Sequence, residues 1–250
     1  MRGHVLPRAF YARDARKLAP QLLNKVLVSG RGSPDPTAAR IVEVEAYRGR
    51  FDPASHAYRG ETRRNRTMFG PPGRLYVYFT YGMHWCANVV GGDVGVASAV
   101  LLRAGEPLVG IDLMRARRGT KIPDRRLCAG PACLTQALGI GGEDDGDDLV
   151  RGQIRILDDG TPPPRRPGRS ARIGLHSGVG TEHQWRWFVR GDVNVSGVNF
   201  VVAAARQDTS TPGHQATAGG EASGTDLMPN LAVLDALFAE MGGQFGQHGG

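Results

Sequence analysis

The chain has 250 residues, with 31 lysines and arginines against 24 aspartates and glutamates, a formal net charge of +7. That length can bury a substantial core in one domain, and a mild basic excess suits contact with phosphates while remaining common among soluble proteins. No apolar run is long enough to span a bilayer. The 3 cysteines lack C-x-x-C spacing, which points to buried thiols in a reducing compartment rather than a zinc site or disulfide framework.

In chain order, the first segment, MRGHVLPRAFYARDARKLAPQLL, lacks a signal-peptide apolar core and reads as a short helix entering the fold. A set of strands is expected from about Lys25 to Leu102. Within it Ile41, Val42, Val44 and Ala46 alternate imperfectly with Glu43 and Glu45, as in a half-buried strand. Period-two geometry places Glu43, Glu45 and Tyr47 on one face. A carboxylate beside a large ring is partly desolvated, so it can act as a general base while stabilising nearby positive charge. The plainer alternative is a strand with one wet face that happens to carry two glutamates. Phe51-Asp52-Pro53-Ala54-Ser55-His56 then reads as a turn ending in histidine, followed closely by Arg59, Arg63, Arg64 and Arg66. A basic loop beside an acidic strand suits a site that holds a polyanion and keeps one carboxylate for chemistry.

Pro71-Pro72-Gly73 punctuates the start of an aromatic and β-branched run, Leu75 to Tyr81, which Gly82-Met83 separates from His84 to Val90. That pattern predicts a hairpin. Tyr76, Tyr78 and Thr80 share one face. Tyr81 lies at the turn, where its ring can project from the tip as a minor-groove wedge. Sheet packing is the alternative for these tyrosines, and the better one for Tyr76.

Helices are expected over about Glu106 to Arg118 and Pro131 to Gly139, and a strand pair near Gln153 to Leu157 and Ala171 to Val195, with Thr161 to Ser170 a loop. The acidic run Glu143, Asp144, Asp145, Asp147 and Asp148 reads as a solvated loop rather than a metal site. Residues 206–226 are rich in Gly, Ser and Thr and read as disordered. Beyond them Leu227, Leu231, Leu234, Phe238 and Met241 fall at helical spacing, either docking a partner or folding back. The fold class expected is α+β: a single mixed domain over 1–205 with a curved, mostly antiparallel sheet, flanking helices and a protruding hairpin. A tail over 206–250 carries a short helix at 230–241.

Eight motifs occur in order: LLNKVLV (22–28), RIVEVEAYRG (40–49), DPASHAYRG (52–60), RNRTMFGPPGRLYVYFTYGMHWCANVV (64–90), AVLLRAGEPL (99–108), LCAGPACLTQALGI (127–140), ARIGLHSG (171–178) and RWFVRG (186–191). Over roughly residues 7–198 the chain resembles the alkyladenine (3-methyladenine) DNA glycosylase family, monofunctional base-excision enzymes without a helix-hairpin-helix. The resemblance implies that Glu45 orients and deprotonates the attacking water, with Arg103 helping to hold it, and that Glu43 is structural. It implies that Tyr47 and Tyr78 stack on a flipped base, that His56 closes the pocket and reads the base edge with its main-chain N–H, and that Asn88 crowds the amino group of ordinary guanine. It also implies that Tyr81 fills the space the base vacates. Asn24 stands where the family pattern has glycine before the lysine.

The implied reaction is hydrolysis of the N-glycosidic bond of alkylated or deaminated purines in duplex DNA, leaving an abasic site. 3-Methyladenine and 7-methylguanine are the first substrates, with hypoxanthine and etheno-adenine as further candidates. No lysine stands out as a Schiff-base nucleophile, so no strand cleavage is expected, and no cofactor or metal. The partner is double-stranded DNA with a damaged purine, not a membrane, for a monomer in the cytoplasm (nucleoid-associated in a bacterium). Cleavage builds positive charge on the sugar, which a carboxylate stabilises while taking a proton from water. Flipping costs roughly a few kcal/mol and base–aromatic stacking returns on the order of 1–3 kcal/mol per base, so ease of unstacking can contribute to selection. Two other classes stay open: an idle binder of distorted duplex, and a hydrolase of free nucleosides.

Overall fold

The computed structural model describes residues 3–30, 34–175 and 179–197. Its elements follow in the order β1 (His4–Val5), α1 (Arg8–Tyr11), α2 (Ala15–Leu22), β2 (Val26–Ser29), β3 (Thr37–Tyr47), β4 (Leu75–Thr80), β5 (His84–Val90), β6 (Ala99–Val109), α3 (Ile111–Arg118), α4 (Asp124–Leu127), α5 (Pro131–Leu138), β7 (Ile154–Asp158), β8 (Gly168–Ser170) and β9 (Arg186–Phe188). The strands form one 9-stranded sheet in the order β1-β7-β2-β3-β6-β5-β4, with β9 added to β3 and β8 to β9. All its pairings are antiparallel. Residues His4–Ser196 form one compact α+β unit.

β3 is the axis of the sheet. It pairs with β2 at Thr37 to Arg40, with β9 at Glu43 to Glu45, and with β6 along Ala38 to Tyr47. Ile41, Val44 and Ala46 all join the main core beside Leu18 and Leu22 of α2 and Leu134 and Leu138 of α5. The odd step from Ile41 to Val44 is absorbed by register shifts on both sides of Glu43. A bulge of this kind re-aims side chains, which accounts for the imperfect alternation in the sequence. The strand is more buried than the expected half, and the plainer alternative of a wet face is overturned: Glu43 and Glu45 are both fully buried, under groups from β6, β9 and the segments at Ile173 and Ser196.

Other expectations are corrected by pairing that no local pattern announces. β6 continues through Glu106 and Pro107 to Val109, so the helix begins only at Ile111, after Gly110 in the left-handed region (φ 71°). Pro107 is tolerated within the strand because it lies opposite Ala39, next to another register shift. β7 joins β2 and β1, while the segment expected to be its partner supplies β9, which joins β3. Residues 168–170 of the expected loop are β8. The first segment is a strand and two short helices, the second capped by Asp14, whose carboxylate accepts from the Arg16 N–H at 3.0 Å. Asn24 has φ 66° and donates its side-chain amide to the Pro162 carbonyl at 2.8 Å. Asparagine is among the few residues that occupy this region readily, so it can stand in for glycine.

The acidic run is a loop with Glu143 and Asp145 exposed, as expected, but it also has a structural part. β4 ends the sheet, leaving an edge of unpaired backbone groups. Asp145 covers it, accepting from the Val77 N–H and the Thr67 hydroxyl, both at 3.0 Å, and the Asp147 carbonyl accepts from the Leu75 N–H at 2.9 Å. Asp148 pairs with Arg8 at 2.6 Å and Asp147 accepts from the Ile154 N–H at 3.1 Å. The run therefore braces the base of the β4–β5 hairpin. The tail 206–250, with its expected helix at 230–241, lies outside the described residues, and among those described no helix is long and apolar enough to cross a membrane. Asp145→Ala is expected to cost about 1–3 kcal/mol by orphaning a strand donor. Urea denaturation measures the loss, and amide exchange at Val77 should accelerate more than at Val44.

Candidate active site

Glu43 and Glu45 project from the same side of β3, and their surroundings separate them. Glu43 Oε1 accepts from Arg103 Nε at 2.8 Å, Arg186 Nε at 2.6 Å and the Ser196 hydroxyl at 2.9 Å, and its Oε2 accepts from the Ser196 N–H at 2.6 Å. That carboxylate is saturated by β6, β9 and the segment after it. Glu45 Oε1 accepts from the Ile173 N–H at 2.7 Å and lies 3.2 Å from Arg103 Nη1, while Oε2 accepts from the Tyr47 hydroxyl at 3.0 Å. The β3–β6 ladder steps from Ala104 opposite Glu43 to Leu102 opposite Val44, passing over Arg103, which is thus free to bridge both glutamates.

Tyr47, Arg103 and Ile173, the three groups that hold Glu45, all line a cavity of about 530 Å³. Tyr78, Tyr76 and Asn88 of the hairpin line it too, as do His56 of the basic loop and Tyr81 at the rim. The His56 ring meets Tyr78 edge-on, centroids 4.4 Å apart, and its Nδ1 is 3.2 Å from the Tyr76 hydroxyl. Tyr76 and Tyr78 stack at 5.5 Å. Asn88 is buried and donates its amide to the Tyr76 carbonyl at 3.2 Å. Tyr81 is 77% exposed, with φ 52° at the hairpin turn. The sequence-predicted site residues are thus gathered around one hollow, six lining it and Glu45 just behind.

Burial sets the protonation states. It pushes the Glu45 carboxyl above its ordinary value of 4.5, against the opposing pull of Arg103, the Ile173 N–H and Tyr47. It lifts the Tyr47 and Tyr78 hydroxyls well above the ordinary range, Tyr76 to about 12, and the Cys86 thiol upward. Burial, helped by Arg64, lowers His56, favouring a neutral imidazole. Burial opposes the Arg103 charge, yet Glu45 and Glu43 hold its pKa above the usual value. Charge at this site is therefore left to the Glu45 carboxylate just behind the cavity and the Arg103 guanidinium that lines it. No group of three or more His, Cys, Asp or Glu among the described residues could hold a metal.

Sequence reasoning missed the supports. Arg172 makes two bonds to Asp52, at 2.6 and 2.8 Å, with both side chains fully buried, and its guanidinium lies 4.6 Å from the Tyr47 ring centre. Asp52 in turn accepts from the Arg48 and Ala54 N–H groups, fixing the loop that carries His56. Arg172 and Asp52 fall inside the ARIGLHSG and DPASHAYRG motifs, which was the available signal; Ser196 had none.

The methylpurine-DNA glycosylase family model matches residues 9–193. The chain belongs to the methylpurine-DNA glycosylase family. A Burkholderia lata protein named "Putative 3-methyladenine DNA glycosylase" is 57% identical over 197 residues, covering 78% of this chain and 92% of the relative. Similarly named proteins of Streptomyces avermitilis and Carboxydothermus hydrogenoformans are 50% identical over 196 residues (76% of this chain, 90% of the relative) and 47% identical over 193 (77% and 98%). The matched span contains the whole cavity, so this methylpurine-DNA glycosylase family member has its hollow within the family's own region.

The two glutamates should respond oppositely to neutralisation. Glu43→Gln strands the Arg186 charge in the interior and leaves Arg103 with Glu45 alone, and should cost about 3–5 kcal/mol. Glu45 has a raised pKa, so its protonation favours the fold. That stabilisation is full below the ordinary value of 4.5 and is lost as pH rises through the higher folded value. At neutral pH its ionised form weighs against the fold, and Glu45→Gln should be at least as stable as wild type. Urea denaturation of the two variants at pH 7 checks both signs.

Proposed function

We propose that the protein hydrolyses the N-glycosidic bond of alkylated or deaminated purines flipped from duplex DNA into the cavity, with Glu45 as general base. The observation that carries this reading is a fully buried carboxylate, bonded to three groups that line an aromatic-walled hollow large enough for a purine. A water beside Arg103 gives its proton to Glu45 as its oxygen bonds to the anomeric carbon. The bond to the base breaks and its electrons leave with the base. A cationic alkylated purine departs neutral, whereas a neutral purine needs a proton or a hydrogen bond on the leaving ring. The carboxylate also stabilises the positive charge that builds on the sugar.

Tyr47 stacks on the base from one side, with His56 and Tyr78 opposite, and Asn88 crowds the amino group of an ordinary guanine. Tyr81 enters the stack as the base leaves it, compensating for lost base stacking. Every side chain in this scheme belongs to one chain, in keeping with a monomer acting on duplex DNA. 3-Methyladenine and 7-methylguanine are the primary substrates, and hypoxanthine and etheno-adenine fit the same slot.

The test is release of 7-methylguanine or hypoxanthine from a labelled duplex, scored by strand breakage after alkali. Wild type should give breaks only after alkali. Glu45→Gln should reduce release by about 10²- to 10⁴-fold while retaining lesion binding. Lesion binding by wild type without release would instead identify an idle binder, and release from free nucleosides a nucleoside hydrolase. Because the base must be ionised, the rate should rise with pH through a step placed above 4.5, the ordinary glutamate value. A step at or below that value would remove Glu45 from the role. Tyr81→Ala should lower excision from duplex on the order of tenfold and leave single-stranded substrate little changed. Equal losses on both substrates would assign Tyr81 to the pocket instead.

A further inference from the structure

We propose that Arg172 is a specificity-determining residue, which moderates the preference for cationic over neutral purines by holding a positive charge against the face of Tyr47 turned away from the cavity. The inference rests on the glycosylase reading above and goes beyond it. Tyr47 lines the cavity, whereas Arg172 does not and is fully buried, so ring and guanidinium form a layered pair with the open side toward the substrate. The guanidinium donates to Asp52 twice and to the carbonyls of Ala46 at 3.0 Å and Gly180 at 3.2 Å. Its Nε has no hydrogen-bond partner among the described residues, a placement that gives the ring contact precedence over full bonding. The next residue's N–H is the one that holds Glu45.

An aromatic face attracts cations through its negative π cloud. A cation already lodged on one face draws that cloud toward itself and leaves the opposite face less negative. A cationic purine stacked on Tyr47 therefore gains less than it would on an unoccupied ring, while a neutral purine, held mainly by dispersion, loses little. Asp52 keeps the pair neutral overall, so the effect is confined to the immediate neighbourhood of the ring. Stability alone does not account for the pair, since a buried ion pair seldom outperforms well-packed apolar side chains. Trp185, itself stacked on His183 at 3.9 Å, lies 5.2 Å from the same guanidinium, a second ring contact that helps to hold it in place.

The experiment compares kcat/KM for release of 7-methylguanine and of hypoxanthine from otherwise identical duplexes. The proteins are wild type, Arg172→Lys, and the charge-balanced double variant Arg172→Met with Asp52→Asn. In the double variant the ratio of 7-methylguanine to hypoxanthine release should rise on the order of three- to tenfold. Arg172→Lys keeps the charge and should keep the wild-type ratio even if both rates fall. A ratio that stays within about twofold in the double variant, or rises equally in Arg172→Lys, overturns the proposal. Arg172 would then be a structural clamp, which slows both bases alike. If circular dichroism shows that the double variant does not fold, Arg172→Gln is read by the same criterion. Wild type that releases neither base overturns the glycosylase reading, and this inference with it.

Discussion

The structure depends on one electrostatic constraint, that two carboxylates on the central strand are buried and must be matched by cations from its neighbours. Glu43 and Glu45 belong to β3, Arg103 to β6 and Arg186 to β9, so the network runs across three adjacent strands. A slip of one residue would carry both glutamates into the apolar layer formed with α2 and α5, and would leave the arginines alone. The ion network therefore acts as a register lock, and the bulge at Glu43 is the irregularity that lets one guanidinium reach both carboxylates. Saturation divides the labour between them. Glu43 is fully occupied in holding strands together, whereas each partner of Glu45 also faces the hollow.

Around that pair the protein has gathered groups that stay uncharged. The three tyrosine hydroxyls and the thiol are held protonated and the imidazole is held neutral, all chiefly by burial. The walls thus offer polarisable faces and hydrogen bonds without adding competing charge. On the proposed reading, such an environment strengthens the field that Glu45 and Arg103 exert on a reacting sugar, because little nearby can screen it. The acidic run plays a mechanical part in the same scheme, bracing the hairpin that supplies Tyr76, Tyr78 and Asn88.

How much of this was legible in the sequence follows from how local each signal is. The hairpin was readable because Leu75 to Val90 combines aromatic and β-branched runs with a glycine turn, and both partners lie within a few residues of each other. Glu45 and Tyr47 were readable as neighbours on one face because two residues of strand place them so. The burial of Glu43 was not, since its partners Arg186 and Ser196 lie some hundred and fifty residues away in the chain. Pro107 was misread as an early helical residue because its missing N–H suits a helix start as well as a strand irregularity, and only the pairing with β3 decides. Asp145 is exposed as a run of acids suggests, but its bond to the Val77 N–H was not readable, because nothing local reveals that a sheet edge uses its oxygens. The position of Arg172 behind Tyr47 is likewise a product of tertiary packing, visible in the sequence only as part of a motif without a role.

The turn at the hairpin tip has a consequence for the thermodynamics of docking. Tyr81 and Gly82 both have positive φ, and the Thr80 carbonyl accepts from the Met83 N–H at 3.1 Å, the signature of a type I′ turn whose twist suits the flanking strands. Glycine would adopt that conformation at Tyr81 freely, whereas tyrosine does so at a penalty of about 1–2 kcal/mol. Below the tip, the Phe79 and Trp85 rings pack across the strands at 4.8 Å and stiffen the stem. On the proposed reading the strain is borne in the free protein, before any DNA is met, and the backbone of the wedge arrives already ordered. Little conformational entropy then remains to be lost on contact, and more of the binding energy is left to open the base stack.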